Sequence, residues 1–450
     1  MTLSRRQFLT AAGAAGALAA SGGLTRAVDA AGRSLGSRFR TGAATTPLPA
    51  NGLSSPIEHI VVLCMENRSF DHYLGWVPGA DGKQAGLSYA DDAGMLHSTH
   101  RLNDWAGCGF KDPNHSYEGG RVQYNDGHVD GFRKGDQDDY ALGYYTRDQV
   151  PTNAALVDGF AIADNYFSSI LGPTYPNRFY THAAATDRIS NTSTTSTLPT
   201  IWDSLATAGV SANYYFSDLP FLALWGTKYL PIARNIGHFF AEAAAGTLPS
   251  YSYVDPFFLG EDQGGSNDDH PHADIRRGQA LISNIVSALM LSPVWSKTAL
   301  VITYDEWGGF FDHVVPQQFP DAFTPTDAEE HNTSGFRVPA YVVSPFAVPG
   351  TIGHNVYNHA SILKLVEWRW DLAPLTVRDA AAGNLAELLD FSADLPPKTP
   401  IVLQADPGPH LCNGDNSLGL GSTAGMESDE SFWQELRDLP ATHAYRNAVA

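Results

Sequence analysis

The sequence predicts an α/β fold: a mainly parallel central sheet with helices on both faces and long loop insertions. Three observations carry that expectation. "IEHIVVLC" (57–64), "TALVIT" (298–303) and "VPAYVV" (338–343) are near-continuous apolar runs, the mark of strands buried on both faces. Residues 273–293 and 358–372 instead place apolar side chains three and four apart, so strands alternate with amphipathic helices. The 450 residues are 43% hydrophobic and 17% charged with 42 Gly and 28 Pro, enough apolar material for a large core and enough turn formers for long ordered loops.

Taken in order, residues 1–30 read as a twin-arginine signal peptide. Arg5 and Arg6 precede Phe8, Leu9 and an Ala/Gly-rich run, and "AVDA" (27–30) supplies a processing site after Ala30. The expected partner is the twin-arginine export machinery, and the expected location is outside the cytoplasm, secreted or in the cell envelope. The run is too short and too rich in Ala and Gly for a membrane span, so none is expected in the mature chain. Residues 31–55 are small, polar and Pro-bearing and read as a flexible spacer. The main domain follows over 56–400, and the Gly- and acid-rich residues 401–450 read as a C-terminal surface extension. Within the domain, 77–160 shows little periodicity and reads as an insertion forming a lid or substrate rim. The stretch 191–200 reads as a surface loop, and the aromatic cluster around Phe221 and Trp225 as core or lid packing.

Lys and Arg number 28 against 48 Asp and Glu, a formal charge of −20. That balance argues against nucleic-acid binding by counterion release and against stable adhesion to an anionic membrane. Of three cysteines, Cys64 sits in an apolar strand and reads as an inert core thiol; the sequence leaves open whether Cys108 and Cys412 pair.

Chemistry concentrates where two buried strands end. Glu66 and Asn67 follow the first run directly, and Asp305 and Glu306 follow the second. In open α/β sheets functional groups gather beyond the carboxyl ends of strands, and carboxylates converging there repel unless a positive charge lies between them. One or more divalent metal ions held by oxygen ligands would supply it. Thr174, in "GPTYPNR" (172–178), has its backbone pinned by Pro173 and Pro176, and a hydroxyl near such a cation loses its proton cheaply enough to attack phosphorus.

The strings "IEHIVVLCMENRSFDHYLG" (57–75), "GPTYPNRFYTHAAATDR" (172–188), "DDHPHADIRRGQ" (268–279), "ALVITYDEWGGFFDHVV" (299–315), "GFRVPAYVVSPFAVPG" (335–350) and "LTVRDAAAGNLAELLDFS" (375–392) together resemble the bacterial phospholipase C and acid phosphatase phosphoesterase family. The resemblance spans about 56–395, with Gln317 where a second Pro is common. It implies an alkaline-phosphatase-like sandwich and cleavage of phosphate esters through a covalent phospho-enzyme. Glu66, Asp305 and Glu306 match the metal-site carboxylates, Asn67 a metal- or phosphate-contacting amide, and Thr174 a nucleophile that also lies at the metal. The nucleophile is Ser in the acid phosphatase branch and commonly Thr elsewhere. His115 and His270 match the histidines that touch phosphoryl oxygens or the leaving group. Asn177 and Arg178 are carried only as supporting residues, and the "FDH" repeats (Asp71, His72; Asp312, His313) as groups that orient the ligand side chains or satisfy buried backbone.

The expected activity is a phospholipase C acting on a glycerophospholipid such as phosphatidylcholine. An acid phosphatase acting on phosphomonoesters is the alternative within the enzyme class, and a non-catalytic secreted surface-binding protein is the alternative outside it.

Overall fold

The computed structural model describes residues 40–41, 47–321, 331–393, 395, 397–412 and 429–449; the signal expected over 1–30 lies outside them. A nine-stranded sheet organises the chain. In sequence order its strands are β1 (Arg40–Thr41), β2 (His59–Met65), β3 (Ala161–Ala163), β4 (Ala212–Phe216), β5 (Ala233–Asn235), β6 (Tyr251–Val254), β7 (Thr298–Tyr304), β8 (Ala340–Val343) and β9 (Thr351–Gly353). Their spatial order is β1-β9-β3-β8-β7-β2-β6-β4-β5. All neighbours run parallel except β8, which is antiparallel to both β7 and β3. The mainly parallel sheet is as expected, but an apolar run reports burial and not direction, so β8 looks in sequence like its parallel neighbours.

Helices cover both faces. One layer contains α3 (Pro151–Gly159), α6 (Ile236–Ala245) and α7 (Ile275–Met290); the other contains α4 (Thr174–Ala183), α5 (Ile201–Thr207) and α8 (Ala360–Trp370). Two further helices lie in the loops before α3, namely α1 (Phe70–Leu74) and α2 (Tyr117–Tyr124). The layers explain why β2 and β7 lack an alternating pattern: every β7 residue is buried, and so is every β2 residue after His59. Asp274 starts α7 by accepting from the Arg276 N–H at 3.0 Å, which matches the helical periodicity read over 273–293. Among the described residues no helix is long and apolar enough to cross a membrane.

Three segments differ from expectation. The described part of the spacer is tied down: Arg40 and Thr41 pair with β9, Gly52 N–H donates to the Trp368 carbonyl, and Trp368 Nε1 donates to the Pro49 carbonyl. The insertion 77–160 is built of short elements, a Ser88–Ala90/Leu96–Ser98 hairpin and α2 among them, and its last residues form α3 of the sandwich. Past residue 401 the chain is no mere surface wrap. Helices α9 (Asp429–Asp438) and α10 (Pro440–Val449) bury Phe432, Trp433 and Tyr445, with Trp433 stacked on Phe258 at 4.1 Å. A Cys108–Cys412 disulfide ties this part to the insertion, while Cys64 is free and buried. Phe221 and Trp225 are buried in the core, as read from sequence.

Candidate active site

The register of the sheet brings the strand-end residues together. β2 and β7 pair from Thr298 with His59 to Tyr304 with Met65, so Glu66–Asn67 and Asp305–Glu306 emerge level at neighbouring carboxyl ends. β6, on the other side of β2, ends at Val254 and delivers Asp255. The turn after β7 is tight: Glu306 N–H donates to Asp305 Oδ1 at 2.8 Å, and Gly308 N–H to Glu306 Oε2 at 2.7 Å. Gly308 has φ +64°, and a Cβ there would lie 2.2 Å from the Asn67 carbonyl oxygen, so the "DEWGG" string is a backbone requirement.

Helix α4 supplies the positive charge that converging carboxylates require. Arg178 is one turn after Thr174, on the same helix face. Its Nε donates to Asp305 Oδ2 at 2.9 Å, its Nη2 lies 3.1 Å from Glu66 Oε1, and its Nη1 donates to Asp255 Oδ1 at 2.8 Å. Carried from sequence only as a supporting residue, Arg178 is the cation that joins three strand ends. It is shared three ways: Glu66, Asp255 and Asp305 are all 0% exposed on this guanidinium, and Glu306, next in the chain, is as deeply buried. Burial, then the neighbouring Asp305, drives the Glu66 pKa up against the pull of Arg178. Burial likewise raises Asp305 and Asp255 to about 6 despite Arg178. Asn177, the other supporting residue, clamps the loop ahead of Thr174: its amide donates to the carbonyls of Gly172 at 2.7 Å and Ile170 at 3.1 Å and accepts from Ile170 N–H at 3.0 Å.

Whether these residues fit a cation is decided by the atoms left over. Glu66 Oε2, Thr174 Oγ1 and both amide atoms of Asn67 are buried with no hydrogen-bond partner among the described residues. Orphaned polar atoms are costly inside a protein, about 1–3 kcal/mol each. An acid oxygen and an amide left bare at the end of β2, and a hydroxyl left bare at the first turn of α4, are atoms of the kind that a hard divalent cation takes. The left-handed backbone at Asn67, φ +58°, is a further local cost that turns this amide out of the strand direction.

The histidines arrive from two loops. His115 Nδ1 donates to the Pro113 carbonyl at 2.7 Å, which directs Nε2 toward Glu306 Oε1, 3.7 Å away. His270 stands edge-on to it at a ring separation of 5.8 Å, with Nε2 3.9 Å from Asp112 Oδ2. Arg68 fastens the His270 loop to β2 by donating to the carbonyls of Asp269 at 2.5 Å and His270 at 2.9 Å, while Glu66 N–H donates to Asp268 O at 2.8 Å. Donor atoms of Glu66, Glu261 and His270 lie within 4.8 Å of one another, as do those of Asp112, His115 and His270. Asp112, Asp255 and Glu261 were not singled out from sequence. Asp255 obeys the same strand-end rule as Glu66 and could have been found by it; Asp112 and Glu261 lie on loops without a local signal.

Three of the "FDH" residues, Asp71, Asp312 and His313, form a separate knot. Asp71 and Asp312 surround Arg337, whose Nε donates to Asp312 Oδ1 at 2.9 Å and whose Nη2 reaches Asp71 Oδ1 at 3.2 Å. His313 Nδ1 donates to Asp71 Oδ2 at 2.5 Å, and His72 donates from Nδ1 to the Gly143 carbonyl at 2.8 Å. Asp71 and Asp312 also accept from the backbone N–H groups of Lys83, His313, Asp71 and Val314, the second of the two roles expected, whereas His72 Nε2 lies 3.1 Å from Nη1 of Arg68, the arginine that fastens the His270 loop.

Fold and site define an α/β protein with a buried acidic centre at the carboxyl ends of its strands. The chain belongs to the Phosphoesterase family, whose model matches residues 57–373. It is 31% identical over 402 residues to non-specific phospholipase C1 of Arabidopsis thaliana, covering 78% of this chain and 75% of that one. It is 30% identical over 471 residues to phospholipase C A of Mycobacterium tuberculosis (strain CDC 1551 / Oshkosh), covering 87% and 86%. Among solved structures, the phosphonate monoester hydrolase of Agrobacterium radiobacter aligns at a TM-score of 0.40 and 11% identity over 74% of this chain and 77% of that one. An alkaline phosphatase superfamily protein from Vibrio parahaemolyticus aligns at 0.37 and 7%, over 77% and 73%. The family assignment stands on the sequence matches.

Proposed function

We propose that this protein is an exported, metal-dependent phosphoesterase of phospholipase C type that cleaves a glycerophospholipid such as phosphatidylcholine into diacylglycerol and phosphorylated head group. The observation that carries the reading is the buried, unpartnered Thr174 hydroxyl at the first turn of α4, on the face that carries Arg178 to the strand-end carboxylates. Similarity to plant and mycobacterial phospholipases C at 30–32% identity supports the substrate class.

Glu66, Asn67, Asp305 and Glu306, together with the Thr174 hydroxyl, would hold one or more divalent cations. When bound, such a cation polarises a phosphoryl oxygen and lowers the pKa of a nearby hydroxyl. Thr174, its hydroxyl proton released to solvent and recovered when the phosphothreonine is hydrolysed, attacks phosphorus through Oγ1, the bond from phosphorus to the diacylglycerol oxygen breaks, and a phosphothreonine bearing the head group results. The helix N-terminus beneath Thr174 favours the negative charge gathering there. His115, held by its Nδ1, gives a proton from Nε2 to the departing alkoxide and then takes one from the water that breaks the bond between phosphorus and Oγ1. His270 contacts the phosphoryl group from the neighbouring loop.

Hydrolysis of phosphatidylcholine and p-nitrophenyl phosphate by wild type and Thr174→Ala, with and without chelator, tests this reading. Phosphocholine release by wild type, lost in the variant by at least about 10³-fold and abolished by chelator, is the expected result. Turnover of the monoester alone would make it a phosphatase, and a fully active variant would remove Thr174 as nucleophile. Export belongs to the same reading, supported by the Arg5–Arg6 leader and a disulfide suited to an oxidising compartment. Replacing both arginines by Lys should hold the protein in the cytoplasm; unchanged export would discard the twin-arginine route.

A further inference from the structure

Glu261 lies outside every motif that marks the strand-end site, yet its carboxylate is 0% exposed and shares a space of 4.8 Å with donor atoms of Glu66 and His270. It is delivered there by an elaborately secured segment. After β6 the chain passes Phe258, whose ring lies 4.7 Å from the Arg178 guanidinium carbon and stacks on Trp433. Asp218 accepts from the backbone N–H of Phe258 at 3.2 Å and Leu259 at 2.9 Å. Beyond Glu261, Cys412 N–H donates to the Gln263 carbonyl at 2.9 Å, so the strap anchored by the Cys108–Cys412 disulfide holds the turn from outside. A Cβ on Gly264 would stand 2.1 Å from the His410 carbonyl oxygen, so strap and turn are in direct backbone contact.

Such fastening matters because the carboxylate it delivers raises the charge problem of the centre. Glu261 brings a buried carboxylate within 4.8 Å of Glu66, whose guanidinium partner Arg178 is already shared with Asp255 and Asp305. Buried carboxylates in such excess remain ionised only beside further positive charge. Glu66 Oε2, unpartnered and fully buried while Oε1 is taken by Arg178, is the independent sign that a ligand belongs here.

We propose that Glu261, with one ring nitrogen of His270, completes the cation site begun by Glu66 and Asn67, the other ring nitrogen remaining for the phosphoryl group. This rests on the metal-dependent reading above and extends it by naming a ligand from a loop. One imidazole among carboxylate oxygens fits a borderline divalent cation such as Mn2+ or Zn2+ as well as a harder one such as Ca2+. The cysteine bridge then has a mechanical role: it holds the segment carrying Glu261 against the rest of the site.

Chelator-stripped mature protein, titrated calorimetrically with Mn2+, Zn2+ and Ca2+ separately, tests the assignment without reference to turnover. Glu261→Gln is expected to weaken the tightest-binding cation at least tenfold, whereas Asp262→Asn, one residue away, changes it less than twofold. Because the substitution removes a buried negative charge, the apo variant should melt no lower than apo wild type. Should it fail to fold, Glu261→Asp keeps the charge, shortens the reach, and is expected to show the same weakening. A Glu261→Gln protein that binds within twofold of wild type overturns the assignment. Wild type that takes up none of the three ions overturns the metal-dependent reading itself, and this inference with it.

Discussion

The two acidic clusters of this protein contain the same parts and end in opposite states. At the strand ends, Glu66, Asp255 and Asp305 converge on Arg178; nearby in sequence, Asp71 and Asp312 converge on Arg337. In the second cluster every carboxylate oxygen is used at least twice. Asp71 Oδ1 accepts from Lys83 N–H and Arg337, and Oδ2 from both the backbone and ring of His313; Asp312 Oδ1 accepts from Val314 N–H and Arg337, and Oδ2 from Asp71 N–H and Arg337. In the first, Glu66 Oε2, Asn67 and Thr174 have unused donor or acceptor atoms. Three ligating groups at Asp71, Asp312 and His313 are close enough to hold an ion, but their lone pairs are already spoken for. Saturation, and not the number of acids, separates a structural knot from a place to bind.

Removing one member from each cluster should therefore move different observables. Arg337→Met leaves Asp71 and Asp312 buried without their cation and should cost about 3–5 kcal/mol in equilibrium unfolding. Glu66→Gln removes a charge that the fold already disfavours; turnover should fall at least about 10²-fold while the melting temperature of the metal-free protein holds or rises. Unaltered stability in Arg337→Met, with lost turnover, would make the knot part of the site and break the comparison.

A smaller effect should appear in the pH dependence of stability. Burial pushes the His313 pKa down, but the Asp71 and Asp312 carboxylates beside it outweigh that and raise it overall. The folded state then holds this proton more tightly than the unfolded chain. Its stabilisation is present in full below the unfolded value of about 6.5 and is lost as pH rises through the higher folded value. Asp305 and Asp255, raised to about 6 by burial, favour the folded state below their unfolded values and lose that contribution as pH rises through about 6. Melting temperatures of metal-free protein from pH 4 to 9 should fall in both windows, and His313→Asn should flatten only the upper one. An upper window unchanged in that variant would detach His313 from the knot's stability.

Much of this was legible in the sequence because it depends on local burial. Continuous apolar runs at 57–64 and 298–303 marked β2 and β7, and the acids that follow them marked the candidate site. Proline on either side of Thr174 marked a held hydroxyl, which the structure places at the first turn of α4 with a clamp from Asn177. The motif strings established the family because their order is as specific as their composition. What tertiary structure alone decided was which charges meet. Arg178 reaches three strand ends, Glu261 comes to Glu66 from a turn strapped by Cys412, and Asp71 finds Arg337, none of it with any signature in the neighbouring residues. Apolar periodicity reports which side of an element is buried, whereas the partner of a buried charge, and the direction of a strand such as β8, depend on contacts made across the sheet after the chain has folded.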